Sequence, residues 1–198
     1  MNRLHHWICR SGYWRQRVEE EVLPWALEGL GPGENTLEIG SGYGAASEVL
    51  GAHASGLTCV ELDWGTARSL ARRTTGTKVR VVQADAICLP FADGTFEAAF
   101  CFTMLHHIPN PLQQDRLLAE VARVLRPGGT FVGSDSYAGF LFWVIHAGDT
   151  FTPVDPRTLP QRLRAAGLAA ISVDGDARNF RFRARRDSFV DCTGGTPL

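Results

Sequence analysis

The run Leu37-Glu38-Ile39-Gly40-Ser41-Gly42-Tyr43-Gly44 restricts the fold most, because apolar strand-forming residues pass there directly into closely spaced glycines. Glycine lets a backbone turn sharply and approach a ligand where a side chain would clash. A strand entering such a turn before a helix belongs to an open α/β sheet, whose ligands bind in the crevice beyond the carboxyl ends of the strands. The surrounding pattern agrees. A strand is expected at 35–39, a helix at 45–50, a strand at 56–61, a helix at 66–73 and a strand at 78–83. Pro90 and Asp93-Gly94 punctuate a loop before a strand at 97–102. Asn110-Pro111 then opens a helix whose Leu117, Leu118, Val121, Val124 and Leu125 share one face. It stops at Arg126-Pro127-Gly128-Gly129, before a strand at 130–134. Strands separated by helices of this length imply a parallel sheet with right-handed crossovers.

The ends of the chain differ from this repeat. Residues 14–30 mix acids and apolar residues at helical spacing, with Pro24 as an expected kink. An aromatic segment at 137–151 precedes a proline-flanked helix at 158–166. Strands at 169–173 and 180–184, joined across Asp174-Gly175-Asp176, predict a terminal antiparallel hairpin. Residues 191–198 read as a frayed tail.

A glycine turn alone does not name a ligand. The run also satisfies the dinucleotide pattern G-x-G-x-x-A through Ala45, so a nicotinamide-dependent oxidoreductase is one reading. Three acids help to separate the candidates. Glu38, two residues before Gly40, is placed to face a cationic or amine group and would repel a pyrophosphate. Glu61, at the end of the second strand, can accept from both ribose hydroxyls, a feature shared with NAD sites that does not discriminate. Asp85, at the end of the third, can accept from an exocyclic amine. Acids at successive strand ends suit a ligand with an amino acid, a ribose and an adenine but no phosphate.

At that point the order of motifs becomes specific. Glu38-Ile39-Gly40-Ser41-Gly42, Val60-Glu61-Leu62-Asp63, Ala84-Asp85-Ala86, Leu89-Pro90-Phe91 to Phe96-Glu97, Met104-Leu105-His106-His107-Ile108 and Val124-Leu125-Arg126-Pro127-Gly128-Gly129 together resemble the class I S-adenosylmethionine-dependent methyltransferases. The likeness is strongest to the small-molecule branch that includes the ubiquinone and menaquinone biosynthesis enzymes, and it runs over residues 35–135. It implies a doubly wound, Rossmann-like, seven-stranded α/β sheet, mostly parallel with an antiparallel terminal hairpin strand and helices on both faces. Residues 1–34 would form a helical extension over the cofactor cleft, 35–190 the methyltransferase domain and 191–198 the tail. S-adenosylmethionine would be the cofactor, leaving as S-adenosylhomocysteine. By the same resemblance Gly40, Ser41 and Gly42 hold the methionine end and Glu61 the ribose, Leu62 lies beside the adenine, and Asp85 and Ala86 read its edge. Thr103 would lie near the amino acid part.

His106 is the candidate general base, since an imidazole titrates near working pH and follows the fourth strand. Its plainer reading, with His107, is a packing pair. His146 and Asp149 read as loop polar residues or as substrate contacts. Phe140, Phe142, Trp143 and Phe151 fit either an apolar substrate pocket or helix packing. His5-His6-Trp7 precede the first helix in an arm that would close over the cofactor. No spacing suggests a metal, and Cys9, Cys59, Cys88, Cys101 and Cys192 form no C-x-x-C. Scattered thiols, no signal-like stretch and no run near ~18 apolar residues point to the cytoplasm.

A formal net charge of −1 gives no general attraction to nucleic acid or anionic membrane. Arg178, Arg181, Arg183, Arg185 and Arg186 gather late, and the alternation of Arg181, Arg183 and Arg185 on a strand reads as one solvated face rather than a nucleic-acid surface. The segment Thr103-Met104-Leu105-His106 lacks the Asn- or Asp-Pro-Pro-aromatic pattern of methyltransferases acting on adenine amines or glutamine. The expected reaction is direct in-line transfer of a methyl group to a small, partly apolar acceptor. A non-catalytic cofactor-binding partner protein stays open as an alternative, because cofactor motifs report binding and not turnover.

Overall fold

The computed structural model describes residues 11–30, 33, 35–176 and 178–188, without the side chains of Phe140, Leu141 and Phe142. The expectations for the His5-His6-Trp7 arm and the 191–198 tail lie outside the described residues. Seven strands make one sheet: β1 (Thr36–Ile39), β2 (Leu57–Glu61), β3 (Val79–Gln83), β4 (Phe96–Phe102), β5 (Leu125–Ser136), β6 (Leu168–Gly175) and β7 (Asn179–Arg186). Their order across the sheet is β3-β2-β1-β4-β5-β7-β6. β1, β2, β3, β4 and β5 pair in parallel, while β7 runs antiparallel to both β5 and β6. The chain winds outward from β1 to β3 and returns to β4 on the other side of β1. That reversal of strand order opens a crevice at the carboxyl ends of β1 and β4.

Every residue of β1 is buried, as expected of a parallel strand covered on both faces. On one face α5 (Pro111–Val124) and α7 (Leu159–Ala165) set Leu117, Leu118, Val121, Leu159 and Leu163 against Phe131 and Phe182. On the other, the N-terminal helix and α3 (Ser47–His53) bring Val18, Leu23, Ala26 and Leu50 onto Phe100 and Val132. α4 (Trp64–Arg73) starts where Asp63 accepts from Thr66 N at 2.8 Å. α5 starts where Asn110 accepts from Gln113 N at 2.9 Å, with Pro111 in the first turn.

The N-terminal helix shows where a proline changes the ladder. It comprises α1 (Gly12–Arg17), a π-helical stretch at Val18–Val22 and α2 (Leu23–Leu27). The expected kink at Pro24 is expressed as this widened turn just before it, because Pro24 has no N–H to donate back. β5 is longer than the expected 130–134. Leu125 pairs with Phe96 and Thr130 with Ala98, so residues 126–129, with Pro127, leave the ladder and the strand continues. α6 (Phe140–Ile145) occupies part of the aromatic segment.

Two of the late arginines are not simply solvated. Arg183 donates to the carbonyls of Glu28 (2.7 Å), Trp25 (3.0 Å) and Ala26 (3.5 Å), and so caps the end of α2. Arg186 donates to the carbonyls of Arg123 (2.9 Å) and Leu125 at the end of α5. Among the described residues no helix is long and apolar enough to cross a membrane.

Candidate cofactor and acceptor site

Gly40 sits at φ +69°, and a Cβ there would lie 2.2 Å from Met104 Cγ, so the turn after β1 presses on the chain leaving β4. Gly40 N and Ser41 N both donate to Val60 O, at 2.9 and 3.2 Å, which ties the turn to β2. Gly42 N donates to Glu61 Oε2 at 2.8 Å, and Asp63 N donates to Glu61 Oε1 at 3.0 Å. One carboxylate therefore spans the glycine turn and the start of α4. Each of its oxygens keeps a further lone pair for an incoming hydroxyl.

Leu62, next along the chain, is 64% exposed, an unusual state for leucine beside a crevice. Asp85, beyond β3, is exposed and accepts from Ile87 N at 3.1 Å, while Ala86 is buried. Thr103, following β4, is held at φ +49° and donates its N–H to Ser134 O at 2.7 Å. A positive φ at a β-branched residue is strained and is sustained by its surroundings. The sheet thus sets Gly40, Ser41, Gly42, Glu61, Leu62, Asp85, Ala86 and Thr103 at the carboxyl ends of adjacent strands.

Glu38 behaves differently from the expectation that it faces a ligand. It is buried, with Oε2 accepting from Ser47 Oγ at 2.5 Å and Cys59 Sγ at 3.3 Å. Burial pushes its pKa up to about 7, against the smaller pull of those two donors. Burial likewise raises the thiols of Cys59 and Cys101 well above the ordinary range, which leaves them unreactive.

Beyond Thr103 the chain forms a single 3₁₀ turn, Leu105–His107. His106 is 2% exposed, and its Nδ1 lies 2.5 Å from Asp135 Oδ1 near the end of β5. Asp135 also accepts from the backbone N–H groups of His106 (3.2 Å) and Ser136 (2.7 Å). Asp135 Oδ1 faces Nδ1 of the ring, and Nε2 on its other side lies 3.2 Å from His146 Nε2. His146 is 3% exposed and stacks on Phe151 with centroids 4.7 Å apart, so it is a core residue and not a polar loop side chain. The His107 ring lies 4.2 Å from that of His106. Nothing in the spacing of positions 106, 135 and 146 connects them. Only the adjacency of β4 and β5, and the return of the chain after α6, brings them together.

A cavity of 320 Å³ opens beside Asp135 and Thr103, walled by Trp14, Arg17 and Trp25 of the N-terminal helix and by Arg181 of β7. Arg181 lies 4.9 Å over the Trp25 ring. The hairpin and the N-terminal helix thus shape a compartment that the strand ends alone do not make.

A doubly wound sheet with an inserted antiparallel β7, a glycine turn at its switch point and acids on the next two strands defines a nucleoside-binding α/β domain of the methyltransferase type. Residues 37–133 match the family model described as a methyltransferase domain. The chain is 34% identical over 128 residues to demethylmenaquinone methyltransferase of Thermobifida fusca, a match covering 63% of this chain and 50% of that protein. It therefore spans about half the length of that curated relative. The PH0226 protein of Pyrococcus horikoshii superimposes with a TM-score of 0.77 at 16% identity, over 91% of this chain and 94% of that one. Phosphoethanolamine N-methyltransferase 2 of Haemonchus contortus, solved with phosphomonomethylethanolamine and S-adenosylhomocysteine, gives 0.75 at 15% identity, over 93% and 56%. Residues 37–133 are thus a class I S-adenosylmethionine-dependent methyltransferase domain, whose cofactor is S-adenosylmethionine.

Proposed function

We propose that this chain transfers a methyl group from S-adenosylmethionine to a small, partly apolar acceptor by direct in-line displacement. The observation that carries this is Glu61, fixed by Gly42 N–H at the switch-point crevice, followed in strand order by exposed Leu62 and Asp85. Hydrogen-bond acceptors flanking an apolar surface suit ribose hydroxyls, a purine face and a purine amine. On this reading Gly40, Ser41, Gly42 and Thr103 receive the amino acid end. Glu38 braces the turn from beneath, through Ser47 and Cys59.

S-adenosylmethionine brings a methyl group already activated by its positive sulfur. The protein's share is alignment and exclusion of water. A lone pair of the acceptor forms the new bond to carbon, the carbon–sulfur electrons return to sulfur, and the acceptor gives up its proton. His106, oriented by Asp135 through Nδ1 at 2.5 Å and following β4 beside Thr103, is assigned to the acceptor side. The 320 Å³ cavity, with Trp14 and Trp25 in its wall, offers a partly apolar acceptor a place beside Thr103. A demethylmenaquinone methyltransferase among the relatives favours a reduced quinone or phenol as the first acceptor to test.

The direct test supplies S-adenosylmethionine with a panel of phenols, hydroquinones and amines, and follows S-adenosylhomocysteine and methylated product by mass spectrometry. Acceptor-dependent formation of both is expected. Cofactor binding with no turnover on any acceptor would instead favour a non-catalytic partner protein.

A further inference from the structure

We propose that His106, His107 and His146 form a binding site for one divalent transition-metal ion, with Asp135 as its supporting carboxylate. One coordinating nitrogen from each imidazole lies within 4.8 Å of the others. The pair that faces most directly, His106 Nε2 and His146 Nε2, is 3.2 Å apart. Two nitrogens on a tetrahedral zinc-like ion, at the usual bond length near 2.05 Å, stand about 3.3 Å from each other. These two rings therefore already hold the spacing of a shared ion. The third ring needs to close by no more than about 1.5 Å to match it, and half-buried His107 is the least enclosed of the three.

The surroundings supply what a metal-bound imidazole requires. A ligating histidine donates its other ring N–H to a carboxylate or carbonyl, which fixes the tautomer and raises its basicity. His106 has this arrangement, with Nδ1 2.5 Å from Asp135 Oδ1, itself oriented by Ser136 N–H at 2.7 Å. His146 is clamped from the side by the Phe151 ring, 4.7 Å away and nearly parallel. His106 and His146 are 2% and 3% exposed, so the two nitrogens are held away from bulk water. Borderline nitrogen ligands of this kind suit zinc, cobalt or nickel rather than magnesium or calcium, which take oxygen. Three imidazoles leave a fourth position open, the arrangement of sites that bind an exchangeable ligand.

What that position does rests on the methyl-transfer reading; binding of the ion does not. In a methyl-transfer site, an acceptor hydroxyl bound there would lose its proton to solvent and present its oxygen as the nucleophile, because the ion lowers its pKa.

The test titrates chelator-treated protein with cobalt(II) alone and reads the visible d–d absorption, with zinc(II) as competitor. One saturable equivalent is expected, with the intensity of a four-coordinate ion and displacement by zinc. His146→Ala and His107→Ala should each abolish it, and Asp135→Asn should weaken it by about 10- to 100-fold. Near-ultraviolet circular dichroism establishes whether His146→Ala is folded, and the half-buried His107 decides the matter if it is not. Absence of saturable binding, or binding that survives loss of His107 and of His146, would overturn the site and leave a hydrogen-bonded imidazole pair. Titration with S-adenosylhomocysteine in the same samples reports the cofactor site separately, so the two readings fail independently.

Discussion

Glu38 makes the stability of this protein depend on pH in a direction opposite to that of a salt-bridged acid. In the unfolded chain a glutamate ionises near 4.5, whereas in the folded protein burial raises Glu38 to about 7. Between those values the folded state holds a proton that the unfolded state has released. Stability from this group is therefore fully present below pH 4.5, falls as pH rises through about 7, and is flat above that. The whole difference is worth about 3 kcal/mol, a large part of an ordinary domain's stability. Glu38→Gln keeps the size of the side chain and its place between Ser47 and Cys59 but removes the titration. Urea denaturation of both proteins from pH 5 to pH 8 isolates the effect, because every other titrating group cancels in the difference. The stability of the parent minus that of Glu38→Gln should fall by about 2.5 kcal/mol over this range. A difference that stays constant, or grows with pH, would refute the buried, protonated state assigned to Glu38.

Other substitutions probe the turn, the ribose acid and the helix clamp. Gly40→Ala adds a Cβ 2.2 Å from Met104 Cγ at φ +69°, so thermal and urea melts should show a loss of about 2–4 kcal/mol. Adding Met104→Ala should recover the part due to the clash and leave the backbone part. Glu61→Gln removes the charge from the group that fixes Gly42 N–H, and should weaken S-adenosylhomocysteine about 10- to 100-fold by calorimetry, with the fold retained. Arg183→Ala strips the donor from three carbonyls at the end of α2; it should cost about 1–3 kcal/mol and speed proteolysis of the N-terminal helix. Unchanged proteolysis would mean that the apolar contacts of Val18, Leu23 and Ala26 hold that helix alone.

Periodicity and turn chemistry carried most of the fold. Alternating apolar runs and helical faces place all seven strands within a few residues, since a parallel sheet needs a helix-length crossover at each step. The Asp174-Gly175-Asp176 turn announces the terminal hairpin because the two strands flank it directly. Local signals fail where the partner is distant. Nothing near Arg183 indicates that its guanidinium reaches the carbonyls of residues 25, 26 and 28. Glu38 beside a glycine turn looks like a ligand contact, and only its side-chain direction under the turn shows that it bonds Ser47 and Cys59. The candidate site divides in the same way. Glu61 and Asp85 are legible because strand ends are visible in sequence. The association of His106 with Asp135 and His146 is tertiary, built from the β4–β5 pairing and the segment after α6.

The central claim is that the strand-end acids and the glycine turn bind an adenosyl amino acid. Calorimetric titration of the purified chain with S-adenosylhomocysteine, with NAD and NADP in parallel, tests it most directly, repeated on Glu61→Ala and Asp85→Ala. Saturable binding of S-adenosylhomocysteine alone, weakened by both substitutions, is the expected result. Tighter binding of a dinucleotide, or affinity untouched by loss of either acid, would contradict it.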